Sequence, residues 1–322
     1  MTNLRSFAVL LALPLGAFAA DPSLLQAVMP DAQVIAGLQV DSAKSSTFGQ
    51  YVLSHLSVND TKLEQFTSET GFDPRYDVSD IVIASNWKPT TPDNRWIVGA
   101  HGAFNVSKIT SVAVASGGVL TSYQGITLVT HSGGPKSQVD TGIAFLDNRT
   151  ALVGDVNSVK AAIDRTKSNT PADPTVTAKA QAASSGEDFW FVTLVPLSNF
   201  AGSIPTGAAG GAMQGNLLAA INQASGGIRF GDTVNITAAA VTRSEKDAQA
   251  LVDVVKFFAG LVQLNRQQNP AAGQVATLLD TLQTSISGNI TTISLAIPEQ
   301  QLEQLLNTVQ HPAPAKAAAR VN

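Results

Sequence analysis

Four short turns constrain this chain more than any other feature. Apolar or β-branched runs flank Gly125, the pair Asp147-Asn148, the pair Gly231-Asp232 and the pair Gly288-Asn289. Gly, Asn and Asp tolerate the backbone conformations that tight hairpin turns require, so each pair of runs reads as a β-hairpin. Helical spacing fills the gaps between them. Phe48, Tyr51, Val52 and Leu56 form one stripe. Asn105 and Asp155 are N-cap residues for helices running to Ser116 and about Lys167. Ser244-Glu245-Lys246-Asp247 is a variant capping box, with Asp in place of Glu, that opens a long helix reaching about Gln268. A further helix is expected over Leu217–Ala224, with a strand from Gly227 to Phe230 behind it.

Strands joined by hairpins form antiparallel sheets. The fold class is therefore α+β: mainly antiparallel sheets with helices packed on one face. Both halves read in the order β-α-β-β-α-β-β-α. The segments Thr121–Thr127 and Thr284–Thr291 also look alike. A duplicated unit accounts for both facts; so does the ease with which an alternating chain can be folded on itself by eye. Asn169-Thr170-Pro171-Ala172-Asp173-Pro174-Thr175 is the linker candidate. It divides the chain into a first half, 20–170, and a second half, 171–310. The Pro- and Ala-rich end, 311–322, is expected to be disordered.

The N-terminus carries an export signal. Arg5 is the only charge before Asp21, an apolar run extends from Phe7, and Ala17-Phe18-Ala19 places small residues at −3 and −1. Residues 1–19 read as a signal peptide cleaved near Ala19-Ala20, which makes the mature chain periplasmic or extracellular. The apolar run is shorter than the roughly 20 residues a bilayer span needs. The only later stretch of comparable length, Ala248 to Leu264, is interrupted by Asp253 and Lys256, so no transmembrane segment is expected in the mature chain. The 322 residues contain no Cys, and 44% are hydrophobic. Stability must then come from a packed core and not from disulfides, and bacterial export fits better than eukaryotic secretion. A net charge of −4 without any basic run argues against a nucleic-acid partner.

Several short motifs recur in a characteristic order. They are Met29-Pro30-Asp31-Ala32, then Gly71-Phe72-Asp73-Pro74-Arg75-Tyr76-Asp77-Val78, then Tyr123-Gln124-Gly125-Ile126. A closing Ala151-Leu152-Val153-Gly154-Asp155 strand precedes Lys160-Ala161-Ala162-Ile163-Asp164. Over about residues 28–170 this is similar to a family of exported bacterial proteins known only as a domain of unknown function. The resemblance implies an envelope location and an α+β fold; it implies no site residues.

The search for chemistry yields mostly absences. The nucleophile elbow G-x-S-x-G, the zinc motif H-E-x-x-H, the phosphate loop G-x-x-x-x-G-K-[ST] and G-x-G-x-x-G are all missing. His55, His101, His131 and His311 are too scattered for a metal pair, and Cys ligands are unavailable. Ser85-Asn86-Trp87-Lys88 matches S-x-x-K, but Pro89 follows at once, so the helix that would align Ser and Lys is not expected. Asp73, Asp77 and Asp80 with Arg75 form a dense charge cluster, read as a solvated turn and not a calcium loop. Gly207–Met213 reads as a tolerated Gly/Ala insertion or a mobile flap. Five sequons, at Asn59, Asn105, Asn148, Asn235 and Asn289, are expected in any chain rich in Asn, Ser and Thr.

No catalytic, cofactor-binding or metal-binding residue is assigned, and no cofactor is expected. The long helix, with Phe257, Phe258, Leu261 and Val262, is apolar nearly all round and reads as central core. Alternatively it lines a cavity for an apolar ligand. The leading expectation is a non-enzymatic exported protein that binds a small apolar ligand or an envelope protein, or serves a structural role. The alternative is a hydrolase whose site is assembled from distant residues. Adhesion lacks the Thr-rich stalk it would need.

Overall fold

The computed structural model describes residues 20–55, 61–88, 93–133, 139–170, 173–203, 217–267 and 270–310. The chain opens with α1 (Pro22–Ala27), β1 (Val34–Gln39), α2 (Val40–Ser45), α3 (Thr47–His55), α4 (Thr61–Thr70) and α5 (Pro74–Asp77). Next come β2 (Val78–Ser85), β3 (Trp96–Gly102), α6 (Val106–Ala115), β4 (Val119–Tyr123), β5 (Ile126–His131), β6 (Thr141–Phe145), β7 (Thr150–Asp155) and α7 (Val156–Lys167). The second half holds α8 (Pro174–Ser184), β8 (Phe189–Thr193), a 3₁₀ turn (Leu197–Ser203), β9 (Ile221–Arg229) and β10 (Thr233–Thr242). It closes with α9 (Glu245–Asn265), α10 (Pro270–Leu279), β11 (Gln283–Ser287), β12 (Ile290–Pro298) and α11 (Glu299–Gln310).

Among the described residues, twelve strands form one sheet in the order β11-β12-β10-β9-β8-β1-β2-β3-β7-β6-β5-β4. Every neighbouring pair is antiparallel. The protein is thus α+β with an antiparallel sheet. The seam between the halves is the β1–β8 pair, where Ala36 faces Phe191 and Gly37 faces Trp190. In the second half β8, the hairpin β9–β10, the long helix α9, the hairpin β11–β12 and the last helix follow in the expected order. The first half carries one hairpin more, β6–β7, inserted between β5 and α7. The two hairpins that look alike, β4–β5 and β11–β12, lie at opposite edges of the sheet.

Local chemistry explains the elements. Asn105 accepts the Lys108 amide, Asp155 accepts the Ser158 amide and Ser244 accepts the Asp247 amide, so the three predicted caps close their helices. Gln124 and Gly125 have φ of 50° and 78°, the two positive values that a type I′ hairpin needs. Residues 217–220 are helical, but Ile221 already belongs to β9, which corrects the helix expected over Leu217–Ala224. Cross-strand pairing with β8 and β10 overrides the local Ala-rich preference there.

The main core joins both halves. Leu24 and Leu25 of α1, Val159 and Ile163 of α7, and Val176 and Ala180 of α8 pack with Leu152, Ala144 and Trp190 of the sheet. A second, smaller cluster unites Phe104, Ile109, Phe145 and Ala151 with Phe66 and Phe72. Adjacent strand residues point to opposite faces. Ala144 and Leu152 therefore face one cluster while Phe145 and Ala151 face the other. The expectation of helices on one face describes the larger cluster; α4 and α6 cover part of the other face. Consecutive apolar residues in β6 and β7 make this possible, because each strand serves two cores.

Candidate functional site

Two surfaces stand out. The first is an acidic cleft of about 780 Å³ at the ends of β2, β3 and β7, lined by Asp21, Asp41, Asp77, Asp80, His101 and Arg149 among others. Docking of α1 against β3 and α7 builds it. Asp21 caps α1 by accepting the Ser23 amide, and the Ser23 hydroxyl donates to Asp21 Oδ1 at 2.6 Å. His101 Nε2 lies 2.9 Å from Ser23 Oγ and 3.5 Å from Asp21 Oδ2. Its Nδ1 faces the Arg149 carbonyl at 3.4 Å and the Thr150 hydroxyl at 3.3 Å.

The cleft separates its carboxylates. Burial pushes the Asp80 carboxyl above the usual range, and the charges of Asp21 and Asp41 add to this against the Ser79 hydrogen bond and His101. Burial also pulls Asp21 upward. There the hydrogen bonds from Ser23 and the proximity of His101 outweigh it and hold the carboxyl below its ordinary value.

Ser23 and His101 resemble a nucleophile–base pair at first sight. A hydroxyl has one proton to donate. Ser23 directs it to Asp21 Oδ1, and the sense of the Ser23–His101 contact is set by the imidazole tautomer. A base must accept the nucleophile's proton, and here that proton is directed to Asp21.

The second surface is the flank of α9. Only Ala248 and Val252 of its 21 residues are buried. Phe257 is 56% exposed and Leu264 is 77% exposed, with Leu261 between them. Together with Gly260 and Gln263 they line a shallow depression of about 560 Å³, flanked by Lys256 and Arg266. Gln263 fixes the helix to α10 by donating to the Ala276 carbonyl at 2.9 Å and to Asp280 at 2.8 Å. The expected central-core helix is thus a helix anchored near each end and exposed between. Its Ala248 carbonyl accepts from the buried Thr291 hydroxyl, and the apolar side chains Phe257, Leu261 and Leu264 beyond are exposed.

The remaining sequence candidates are dispersed. Ser85 Oγ accepts the Trp87 amide, and Lys88 pairs with Asp93 at 2.6 Å, so the S-x-x-K residues serve separate turns. Asp73 caps α5 and clamps the Arg75 guanidinium, whose hydrogen bonds hold the Asp73 carboxyl below the usual range. That is the turn the sequence implied. Asp77 and Asp80 of the same cluster instead line the cleft. His131 sits exposed at the end of β5, apart from His101. Asn289 donates to the Thr242 carbonyl, a structural contact. Among the described residues no group of three or more metal-ligating side chains is assembled. Residues 1–19, Asn59, the Gly207–Met213 loop and the 311–322 end lie outside the described residues.

The involvement of Asp21 and Ser23 had no sequence signal as a site, because both read simply as the start of the mature chain. Their partner is 78 residues from Ser23 along the chain.

No family model matches the chain, and no curated protein matches it. A solved structure, titled as crystal form IV of TP0453, is similar at a TM-score of 0.49 and 10% identity; the alignment covers 89% of this chain and 97% of that one. No helix among the described residues is long and apolar enough to cross a membrane.

Proposed function

We propose that this chain is exported and works in the periplasm or extracellular space as a non-enzymatic binding protein that takes an apolar ligand or partner on the flank of α9. One observation carries the reading: Phe257, Leu261 and Leu264 are exposed together on a helix anchored at both ends. A contiguous apolar patch costs hydration in the free protein and marks an interaction surface. The signal-peptide pattern supports the location.

Native mass spectrometry of the protein isolated from its host's envelope fraction tests this. The expected spectrum is a chain beginning at Ala20 that carries an added mass, lost on denaturation. A clean mature mass, together with no uptake of an apolar fluorescent probe by the purified protein, would sink the reading.

The hydrolase alternative retains one favourable contact, Ser23 to His101. A fluorophosphonate probe decides it: labelling at Ser23 would install the hydrolase reading, and the proton inventory of that contact predicts none.

A further inference from the structure

We propose that the flank of α9 docks on the surface of an anionic lipid bilayer, with Phe257, Leu261 and Leu264 entering the interface and Lys256 and Arg266 meeting the headgroups. This rests on the reading of α9 as a binding surface and names its occupant.

Residues three or four apart share one face of a helix, so the outward stripe of α9 can be followed along its length. Its first half is mainly polar, with Lys246, Gln249 and Asp253 exposed. Beyond Lys256 the stripe changes character. Between Lys256 and Asn265 the exposed residues are Phe257, Gly260, Leu261 and Leu264. A helix that met only water on this side would stay polar throughout. Gly260 lies in the depression, and a Cβ there would meet nothing within 4 Å, so the depression opens outward.

The charge changes at the same point. Between residues 254 and 279 the chain carries Lys256 and Arg266 and no carboxylate, in a protein of net charge −4. Both cations line the depression. Among the described residues neither forms an ion pair. Arg266 donates instead to the Gln263 side-chain oxygen at 3.3 Å. The carboxylates that bound the stretch, Asp253 and Asp280, each accept a glutamine amide at 2.8 Å, from Gln249 and Gln263. An apolar stripe with long cationic side chains beside it suits the interfacial plane of a bilayer. The stems of Lys and Arg lie along apolar surface while their charges reach anionic headgroups.

Area argues against a protein occupant. Three side chains expose a few hundred Å², whereas a stable protein–protein interface buries about 1,200–2,000 Å². A bilayer needs no matching surface and accepts side chains one at a time.

The test is cosedimentation of the mature chain, beginning at Ala20, with vesicles of phosphatidylcholine alone or mixed with phosphatidylglycerol. Binding to the anionic vesicles is expected, at least about tenfold tighter than to the neutral ones and weakened by salt. Leu264→Ser should weaken it by about tenfold or more, with circular dichroism confirming the fold. Leu120→Ser is the control: Leu120 is 55% exposed on β4, at the opposite edge of the sheet, and its loss should change nothing. Phe257→Trp should add fluorescence that brominated acyl chains quench. Equal losses in Leu264→Ser and Leu120→Ser would overturn the inference. So would a dimer of the wild type that Leu264→Ser abolishes, which would make a second copy the occupant. Uptake of an apolar fluorescent probe at α9 without vesicle binding would overturn the inference and leave the binding reading standing. Neither probe uptake nor vesicle binding would overturn both.

Discussion

The helices α7 and α9 make opposite use of similar raw material. α7 has 12 residues with several charges, yet Ser158, Val159, Ala162 and Ile163 are all buried. α9 has 21 residues and a much more apolar sequence, yet buries only Ala248 and Val252. The difference lies in what each helix meets. α7 lies between α1 and the strands β6 and β7, so one stripe of small and branched residues is enclosed on all sides. α9 meets β10, β11, β12 and α10, and Phe257, Leu261 and Leu264 on its distal turns stay exposed. At about 1.5 Å per residue it is roughly 30 Å long. Apolarity supplies the tendency to be buried, and topology decides whether anything is there to bury it.

The sharpest way to break this contrast is at the seam of the sheet. Trp190 is enclosed between the strands that join the halves. Trp190→Ala is expected to cost about 3–5 kcal/mol by chemical denaturation. A cost below about 1 kcal/mol would mean that the shared core does not hold the halves together. Next in size is Gly37→Ala. A Cβ on Gly37 would lie 2.5 Å from the Trp190 indole. Overpacking of this kind costs about 1–3 kcal/mol, and pairing it with Trp190→Ala should erase most of that cost. Full additivity would show that the indole is not the obstacle.

Asp80 probes the cleft, where the effect is smaller and depends on pH. Its folded carboxyl titrates above the ordinary value because burial disfavours the charge. The folded state then holds the proton more tightly than the unfolded chain. Its contribution to stability is present below the unfolded value and is lost as pH rises through the folded one. Asp80→Asn should therefore stabilise the protein at neutral pH relative to acid, read from melting curves at both. A variant that loses stability at neutral pH would remove Asp80 from the list of strained carboxylates. The smallest effect is expected at Leu264→Ser on α9: stability within about 0.5 kcal/mol of wild type, with apolar probe binding clearly reduced. A core-sized loss of stability would instead place Leu264 in the packed interior and abolish the contrast with α7.

Much of the fold could be read from local chemistry. Turn residues located the hairpins, and Asn105, Asp155 and Ser244 marked helix starts, because a cap or a tight turn is settled within four residues. What stayed hidden depends on distant partners. Residues 221–226 have little strand character of their own and become strand between β8 and β10. The single sheet required β8 to find β1, which no local pattern encodes. The acidic cleft was half visible: Asp77 and Asp80 stood in a dense cluster, whereas Asp21 and His101 meet only because α1 docks on β3. The exposed flank of α9 was misread because a hydrophobic run looks the same whether a core or a ligand covers it.

The β1–β8 pair also sets a schedule. Its partners are separated by about 150 residues, Ala36 facing Phe191. Contacts so remote in sequence are slow to form, because a long loop must close before they return any energy. As the chain emerges in sequence order, β1 can pair with β2 early. Its other side stays open until the whole first half and α8 have followed. An open strand edge is a template for foreign strands. The vulnerable interval in this molecule's life thus falls before β8 arrives, and a chaperone that shields β1 during that interval would shorten the path to the native sheet.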